Sequence, residues 1–202
     1  MKTIVFDFGG ILIDWNPEYV FLKEFRGDRE KMNRFFEEIC TSEWNENQGA
    51  GYPLSKPTEE RVALFPALER LIRMYYGEWE HMLGYELTGT VEILKKLHQS
   101  PNYSIYALTN YSGETLTVAL QKFPFLSWFE GIVVSGDEKL KKPDPAIYQL
   151  LSNRYQLKAA DCVFLDDRAD NVEAAVALGF EGIHFSNHKQ LQNEIFKLKI
   201  DI

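Results

Sequence analysis

Short apolar runs alternate with amphipathic segments along much of this chain. The apolar runs are typical of buried strands and lie at 3–8, 103–109, 131–134, 162–166 and 182–185. Helical spacing of apolar residues appears between the later runs, over 88–98, 113–122, 145–155 and 170–178. This alternation predicts βαβ units and an α/β fold, with a Rossmann-like parallel sheet flanked by helices in three αβα layers.

The hydrophobic pattern changes in the stretch of chain between the first apolar run and the second. Amphipathic helical segments without a buried strand pattern occupy 17–25, 29–40 and 64–83. The polar stretch from Trp44 to Gly51 is predicted to be a loop between two of these helices. We therefore predict a discontinuous core formed by 1–16 and 86–202, into which an all-helical cap, 17–85, is inserted.

Polar clusters lie at the ends of three predicted strands and just before a predicted helix. They are Asp7, the pair Thr109-Asn110, the pair Asp166-Asp167, and Lys142. Because groups beyond the carboxyl ends of parallel strands converge on one crevice, we expect these clusters to meet. Three carboxylates, an ammonium and a hydroxyl suit a carboxylate nucleophile that attacks a phosphate beside a divalent cation.

The residues of each cluster are suited to a particular role at a phosphate-binding site. Asp7 could form an aspartyl-phosphate, and the following Gly9 and Gly10 let the backbone approach a ligand closely. Lys142 could contact a phosphoryl oxygen, while Thr109 and nearby backbone amides could cradle the anion. Crowded carboxylates repel one another, a conflict that Mg²⁺ would remove. Taken singly, the clusters at Asp7, Thr109-Asn110 and Asp166-Asp167 are also explained as a turn or a helix cap.

Composition narrows the class of partner. The net charge is −8, which argues against a nucleic-acid or anionic-membrane surface. No apolar stretch approaches the roughly 20 residues that a membrane-spanning helix needs. Cys40 and Cys162 are far apart in the sequence, and Cys162 lies in an apolar predicted strand, so a buried thiol is expected there rather than a disulfide. The first residues run directly into a strand without a signal-peptide pattern, and we expect a soluble, cytoplasmic protein.

The order of these motifs resembles that of the haloacid dehalogenase superfamily of hydrolases. Four segments carry the likeness: FDFGGILIDWNPEY, ALTNYSGET, SGDEKLKKPDPAIY and FLDDRADNVEAAVALGF. They are similar to the subgroup with a helical cap after the first motif. The resemblance implies that Asp7 is the nucleophile, that Thr109 with Asn110 binds phosphate, and that Lys142 is the lysine of the third motif.

The resemblance also implies a magnesium site. Asp7 and Asp167 would bind Mg²⁺ directly, Asp166 would act through water, and the backbone carbonyl of Gly9 would be a further ligand. Phosphatases of this superfamily usually carry a general acid two residues after the nucleophile, where this chain has Gly9. Losing a general acid typically costs about 10²–10⁴-fold in rate, and less when the leaving group is already stabilised. Glucose-1-phosphate phosphatases that resemble this chain share the missing aspartate.

The predicted activity is Mg²⁺-dependent hydrolysis of a small phosphomonoester, such as a sugar phosphate. One alternative is a 2-haloacid dehalogenase, in which Asp7 attacks carbon without a metal. Another is a binding or regulatory protein that turns over poorly because Gly9 cannot donate a proton. Trp44 and Asn45 are predicted to contact substrate from the cap, although Trp44 could equally join cap to core. Trp79 is expected to pack between helices, and the oligomeric state is not predicted.

Overall fold

The computed structural model describes residues 2–48 and 53–201, apart from the side chains of residues 46–48. Its strands are β1 (Lys2–Phe6), β2 (Ile13–Trp15), β3 (Leu83–Glu86), β4 (Tyr103–Thr109), β5 (Gly131–Val134), β6 (Cys162–Asp166) and β7 (Glu181–His184). Five of these form a parallel sheet in the order β5-β4-β1-β6-β7, and β2 pairs with β3 in an antiparallel ribbon.

Helices cover both faces of the sheet and most of the chain between β2 and β3. The α-helices of this part are α1 (Glu18–Glu24), α2 (Arg29–Glu38), α3 (Ser42–Gln48), α4 (Ser55–Leu64), α5 (Glu69–Gly77) and α6 (Trp79–Met82). The later ones are α7 (Thr88–Gln99), α8 (Gly113–Lys122), α9 (Ser135–Glu138), α10 (Pro145–Tyr155), α11 (Ala169–Ala177) and α12 (His188–Lys197). Short 3₁₀ turns occur at Pro66–Leu68, Pro124–Trp128 and Ala159–Asp161.

The central strand shows why a parallel sheet forms here. Ile4, Val5 and Phe6 are fully buried, with Ile4 and Phe6 in one hydrophobic cluster and Val5 in another. The second cluster includes Tyr148 of α10 and Phe164 of β6, on the opposite face of the sheet. Apolar side chains are therefore covered on both faces, as parallel sheets require. The predicted fold class is confirmed.

Two local predictions for the region 17–85 are wrong. Residues 44–48 belong to α3 rather than to a loop, and Thr41 caps this helix by accepting a hydrogen bond from the Trp44 backbone N–H (3.0 Å). The rest of the predicted loop, 49–51, lies outside the described residues. In addition, β3 is a strand that sequence periodicity did not indicate, since its pairing partner, β2, is distant in the sequence.

The predicted long helix 64–83 is divided into shorter pieces. A 3₁₀ turn begins at Pro66, and α5 ends at Gly77, as expected of two residue types that interrupt helices. The sequence analysis assigned no helix at α4 or α12. None of the helices among the described residues is long and apolar enough to cross a membrane. The division into core and cap stays a prediction.

Candidate active site

The strand order brings the predicted site residues to one edge of the sheet. β1 lies between β4 and β6, so Asp7, Thr109 and Asp166 follow or end three adjacent strands. The backbone N–H of Asp7 donates to the Leu165 carbonyl (3.0 Å), which extends the β1–β6 pairing up to Asp7. The carboxyl end of the sheet is where ligands bind in folds of this type.

Lys142 connects two of these carboxylates. Its Nζ lies 3.0 Å from Asp7 Oδ1 and 2.6 Å from Asp166 Oδ2, although Lys142 is only 2% exposed and comes from the segment before α10. Burial alone would lower the pKa of Lys142, but the two carboxylates outweigh it and hold that pKa above its ordinary value. The ammonium is therefore a fixed positive charge beside Asp7.

Both carboxylate oxygens of Asp166 accept hydrogen bonds from protein donors. Besides Lys142 Nζ, it accepts hydrogen bonds from the Arg168 backbone N–H and from Asn171 Nδ2, both at 3.0 Å. Its side chain is completely buried. A buried carboxylate needs this number of donors to remain in place, so Asp166 anchors Lys142 and the start of α11.

Asn110 holds Lys142 from the other side. Its Nδ2 donates to the Lys142 carbonyl (3.0 Å), and its Oδ1 accepts the Lys142 backbone N–H (2.9 Å). This pair of hydrogen bonds occupies both polar atoms of the side chain in the manner of a backbone pairing. Direct binding of phosphate by Asn110 stays a prediction, and the contact seen in the structure is to Lys142.

The three carboxylates Asp7, Asp166 and Asp167 each place an oxygen within 4.8 Å of the other two. Burial raises the pKa of Asp7 from 3.8 to about 6, despite the opposing effect of Lys142. Burial and the neighbouring Asp166 also raise the pKa of Asp167. Carboxylates this close are disfavoured as anions unless a cation balances them.

This donor set fits Mg²⁺, which takes oxygen ligands and is commonly held by one or two carboxylates with substrate phosphate. Asp7 and Asp167 would hold the ion, because Asp166 already has its protein donors. Gly10 keeps room for this arrangement: its φ is +74°, and a Cβ atom there would lie 2.3 Å from Asp167 Oδ2. Gly9 lines the same cavity, and the role of its carbonyl stays a prediction.

Thr109 contributes an unpaired hydroxyl. The residue is completely buried, and its Oγ1 has no hydrogen-bond partner among the described residues. A buried hydroxyl without a partner is energetically unfavourable, and native structures rarely keep one without a reason. An anionic oxygen of a substrate would satisfy this group.

The site opens into a cavity of about 250 Å³. Its lining residues are Asp7, Gly9, Gly10, Trp15, Asn45, Trp79, Thr109, Asn110, Tyr111 and Asp167. Asn45 therefore reaches the cavity, and its Oδ1 accepts a hydrogen bond from Tyr76 Oη (2.9 Å). Trp44 is not among the lining residues. It is 6% exposed, packs against Tyr75 and Tyr76, and donates from Nε1 to the Pro57 carbonyl (3.4 Å).

Trp79 and Tyr111 are lining residues that the sequence analysis did not select. Trp79 belongs to an amphipathic helical segment, where an aromatic residue looks like ordinary core. Tyr111 directly follows Thr109-Asn110 in the sequence. This adjacency is the feature from which its place at the site could have been predicted. Asp14 does not line the cavity, and its carboxylate accepts a hydrogen bond from Tyr19 Oη instead. It is therefore not placed to replace the general acid that is absent at Gly9.

A parallel sheet that carries a carboxylate paired with a lysine, and two further carboxylates close to it, is suited to hydrolysis in which a carboxylate acts as the nucleophile. A family model of haloacid dehalogenase-like hydrolases matches residues 1–179, so the chain belongs to that family.

The curated proteins that are similar to this chain include a hydrolase and a phosphatase. A chloroplast flavin mononucleotide hydrolase of Arabidopsis thaliana is 31% identical over 122 residues, which cover 59% of this chain and 48% of that protein. A sesquiterpene phosphatase of Aspergillus oryzae is 26% identical over 191 residues, which cover 92% of this chain and 90% of that protein.

The fold is also found in solved structures. An enzyme of the haloacid dehalogenase family from Bacteroides thetaiotaomicron, in complex with magnesium and inorganic phosphate, superposes with a TM-score of 0.69. The match covers 93% of this chain and 95% of that one at 19% identity. This likeness concerns the fold and adds to the evidence for the α/β architecture.

Proposed function

We propose that the protein is a Mg²⁺-dependent phosphatase that hydrolyses a small phosphomonoester, of the sugar phosphate class, through an aspartyl-phosphate on Asp7. The observation that carries the proposal is the position of Asp7. Its carboxylate is 3.0 Å from the Lys142 ammonium, at a cavity that Thr109 lines with an unpaired hydroxyl. The family and the phosphatase among the relatives support this chemistry.

Each residue has a role that follows from its contacts. Asp7 attacks phosphorus, and the bond to the leaving oxygen breaks as the phosphoryl group passes to the Asp7 carboxylate. Lys142 and Thr109 stabilise the charge on the transferring group from fixed positions. Bound Mg²⁺ would supply electrostatic stabilisation of that charge and keep Asp7 ionised. Asp166 and Asn110 hold Lys142 in place, and water then hydrolyses the aspartyl-phosphate.

A cap over residues 17–85 is part of the proposal. Asn45 and Trp79 come from this region, whereas Asp7, Thr109 and Tyr111 come from the sheet side, and all of them line one cavity. A cavity built from two chain regions can exclude water from the reacting phosphate when it is filled. The substrate would therefore be contacted by residues of both regions.

Phosphate release from a panel of phosphomonoesters, with Mg²⁺ or with excess EDTA, tests the proposal. We expect release with Mg²⁺, loss of activity in EDTA, and recovery when Mg²⁺ is added back. Chloride release from 2-chloropropionate is measured alongside. Metal-independent chloride release without phosphate release would replace the proposal by the dehalogenase alternative. Absence of both, in a protein shown by circular dichroism to be folded, would favour a binding protein.

Replacing Gly9 by aspartate should restore a general acid. Gly9 lines the cavity, and a Cβ atom at this position would have no heavy atom within 4 Å, so the backbone leaves room for a side chain to start there. We expect Gly9→Asp to increase kcat/KM for a hexose 6-phosphate, a poor leaving group, by at least about tenfold relative to acetyl phosphate, a good one. Gly9→Asn is the matched control, because it has the same size and no acidic proton. An unchanged ratio in Gly9→Asp would show that the missing acid does not limit turnover.

A further inference from the structure

Three residues that line the cavity beside Asp7 carry buried, unpaired hydrogen-bond groups. Trp15 Nε1, Trp79 Nε1 and Tyr111 Oη are buried, and none has a partner within the described part of the chain. All three residues line the cavity that contains the nucleophile. A buried polar group without a partner is energetically unfavourable, so three of them at one cavity call for an explanation.

The three side chains form one continuous aromatic surface. The Trp15 and Trp79 ring centroids are 5.4 Å apart, and Tyr111 meets Trp79 edge-on at 6.1 Å. Tyr76 stacks on the Trp79 ring at 5.9 Å and also hydrogen-bonds Asn45, which fixes this wall from behind. The rings are therefore held in place before a ligand arrives, which reduces the entropy lost on binding.

The chemistry of the groups restricts what they bind. An indole N–H is a donor only, so Trp15 and Trp79 need acceptor oxygens or nitrogens from a ligand. The aromatic faces add apolar surface that suits the C–H face of a ring. A purely hydrocarbon leaving group would leave the donors unsatisfied, whereas a hydroxylated ring satisfies both the donors and the faces.

The charge of the cavity restricts the ligand further. Among the described residues, its lining contains the carboxylates of Asp7 and Asp167 and no lysine, arginine or histidine. The sequence of residues 46–52, ENQGAGY, also contains no basic residue. A second negative charge on the substrate would have no partner at this wall and would face acidic groups. At about 250 Å³, the cavity is below the usual range for drug-sized ligands and suits a single ring.

We infer that Trp15, Trp79 and Tyr111 form the leaving-group subsite, and that they select phosphomonoesters of an uncharged, oxygen-rich single ring such as a pyranose. This inference rests on the proposed phosphatase function. It adds the residues that choose the substrate and the requirement that the leaving group carry no charge. Trp15 comes from β2 and Trp79 from α6, so the selection depends on the junction between these elements.

Matched substrates test the charge requirement on the unmodified protein. Glucose 1-phosphate and glucuronate 1-phosphate share the ring and differ by one carboxylate. We expect at least about a tenfold preference in kcat/KM for the uncharged ring across a set of such pairs. Equal rates within the pairs, or a preference for geranyl monophosphate over every hexose phosphate, would overturn the inference while leaving the phosphatase function intact. Acetyl phosphate reports that function independently: if it and every ester remain intact with Mg²⁺, the proposed function itself has failed.

Single substitutions test whether Trp79 and Tyr111 contribute to substrate selection. We expect Tyr111→Phe and Trp79→Phe each to lower the kcat/KM ratio of the best hexose phosphate to acetyl phosphate by about tenfold, the effect of one lost hydrogen bond to substrate. Tyr106→Phe and Trp128→Phe are the controls, because neither residue lines the cavity. Thermal unfolding establishes that each variant is folded. A ratio that stays at the wild-type value in both folded cavity variants would remove these residues from the subsite.

Discussion

Replacing Asp7 with asparagine should lower phosphate release by at least about 10⁴-fold, with the fold unchanged. The amide keeps the size of the side chain but cannot attack phosphorus, and the Lys142–Asp166 ion pair remains. Single-turnover phosphate release and circular dichroism measure the two parts of this prediction. Asp14→Asn is the matched control: Asp14 is outside the cavity and should be replaceable with little loss. Near-wild-type activity in Asp7→Asn would exclude Asp7 as the nucleophile.

The same variant should change how stability depends on pH when no divalent cation is present. Burial raises the pKa of Asp7 from 3.8 to about 6, so the native carboxyl keeps a proton that the unfolded chain has released. The unfolding free energy contributed by Asp7 is therefore highest below pH 4 and falls as the pH rises through 6. The full change is about 3 kcal/mol.

Urea unfolding in EDTA at several pH values measures this effect. The asparagine variant lacks the titration, so its stability relative to wild type should increase between pH 4 and pH 7. A stability difference between the two proteins that does not vary with pH would show that the buried Asp7 is not destabilised as an anion.

Replacing Lys142 with methionine should destabilise the protein by about 3–5 kcal/mol and also remove most of the activity. Methionine fills the space of the lysine stem but leaves Asp166, which is completely buried, without its ionic partner. Activity falls because the ammonium beside Asp7 no longer stabilises the transferring phosphoryl group. Urea unfolding at pH 7 gives the free energy of unfolding, and phosphate release gives the activity.

Two further variants separate the effect of losing the charge of Lys142 from the effect of changing its packing. Lys158→Met is the control on the exposed surface, where the loss of a charge should change stability by less than about 0.5 kcal/mol. Adding Asp166→Asn to Lys142→Met removes the uncompensated buried charge, and we expect this double variant to regain much of the lost stability without regaining activity. If Lys142→Met were as stable as wild type, the Lys142–Asp166 pair would not be a structural anchor.

The fold was predictable where the sequence of a single segment is enough to indicate its secondary structure. Strand β4 and helices α8 and α10 have the predicted limits, because fully buried apolar runs and capped helices are encoded locally. Prediction failed where the signal was not local. The polar stretch of α3 is held as a helix by the Thr41 cap and a buried Trp44, and β3 exists only because β2 pairs with it.

By itself, the sequence determined the class of fold and the chemical types at the site: Asp7, Thr109, Lys142 and the Asp166-Asp167 pair at the ends of predicted elements. That these residues lie close together follows from topology, because the carboxyl ends of parallel strands lie at the same edge of the sheet. Only the tertiary structure decided how the groups are paired. It placed Lys142 between Asp7 and Asp166, and it set Asn110 on the Lys142 backbone.

The tertiary structure also decided which aromatic residues line the cavity. The sequence pattern predicted Trp44 in a polar loop that contacts substrate and Trp79 packed between helices, yet Trp44 is packed in the core and Trp79 lines the cavity beside Tyr111. Helical periodicity shows which face of a helix is apolar, but not whether that face meets another helix or an empty space. That outcome depends on contacts between segments far apart in the chain, which no local pattern encodes.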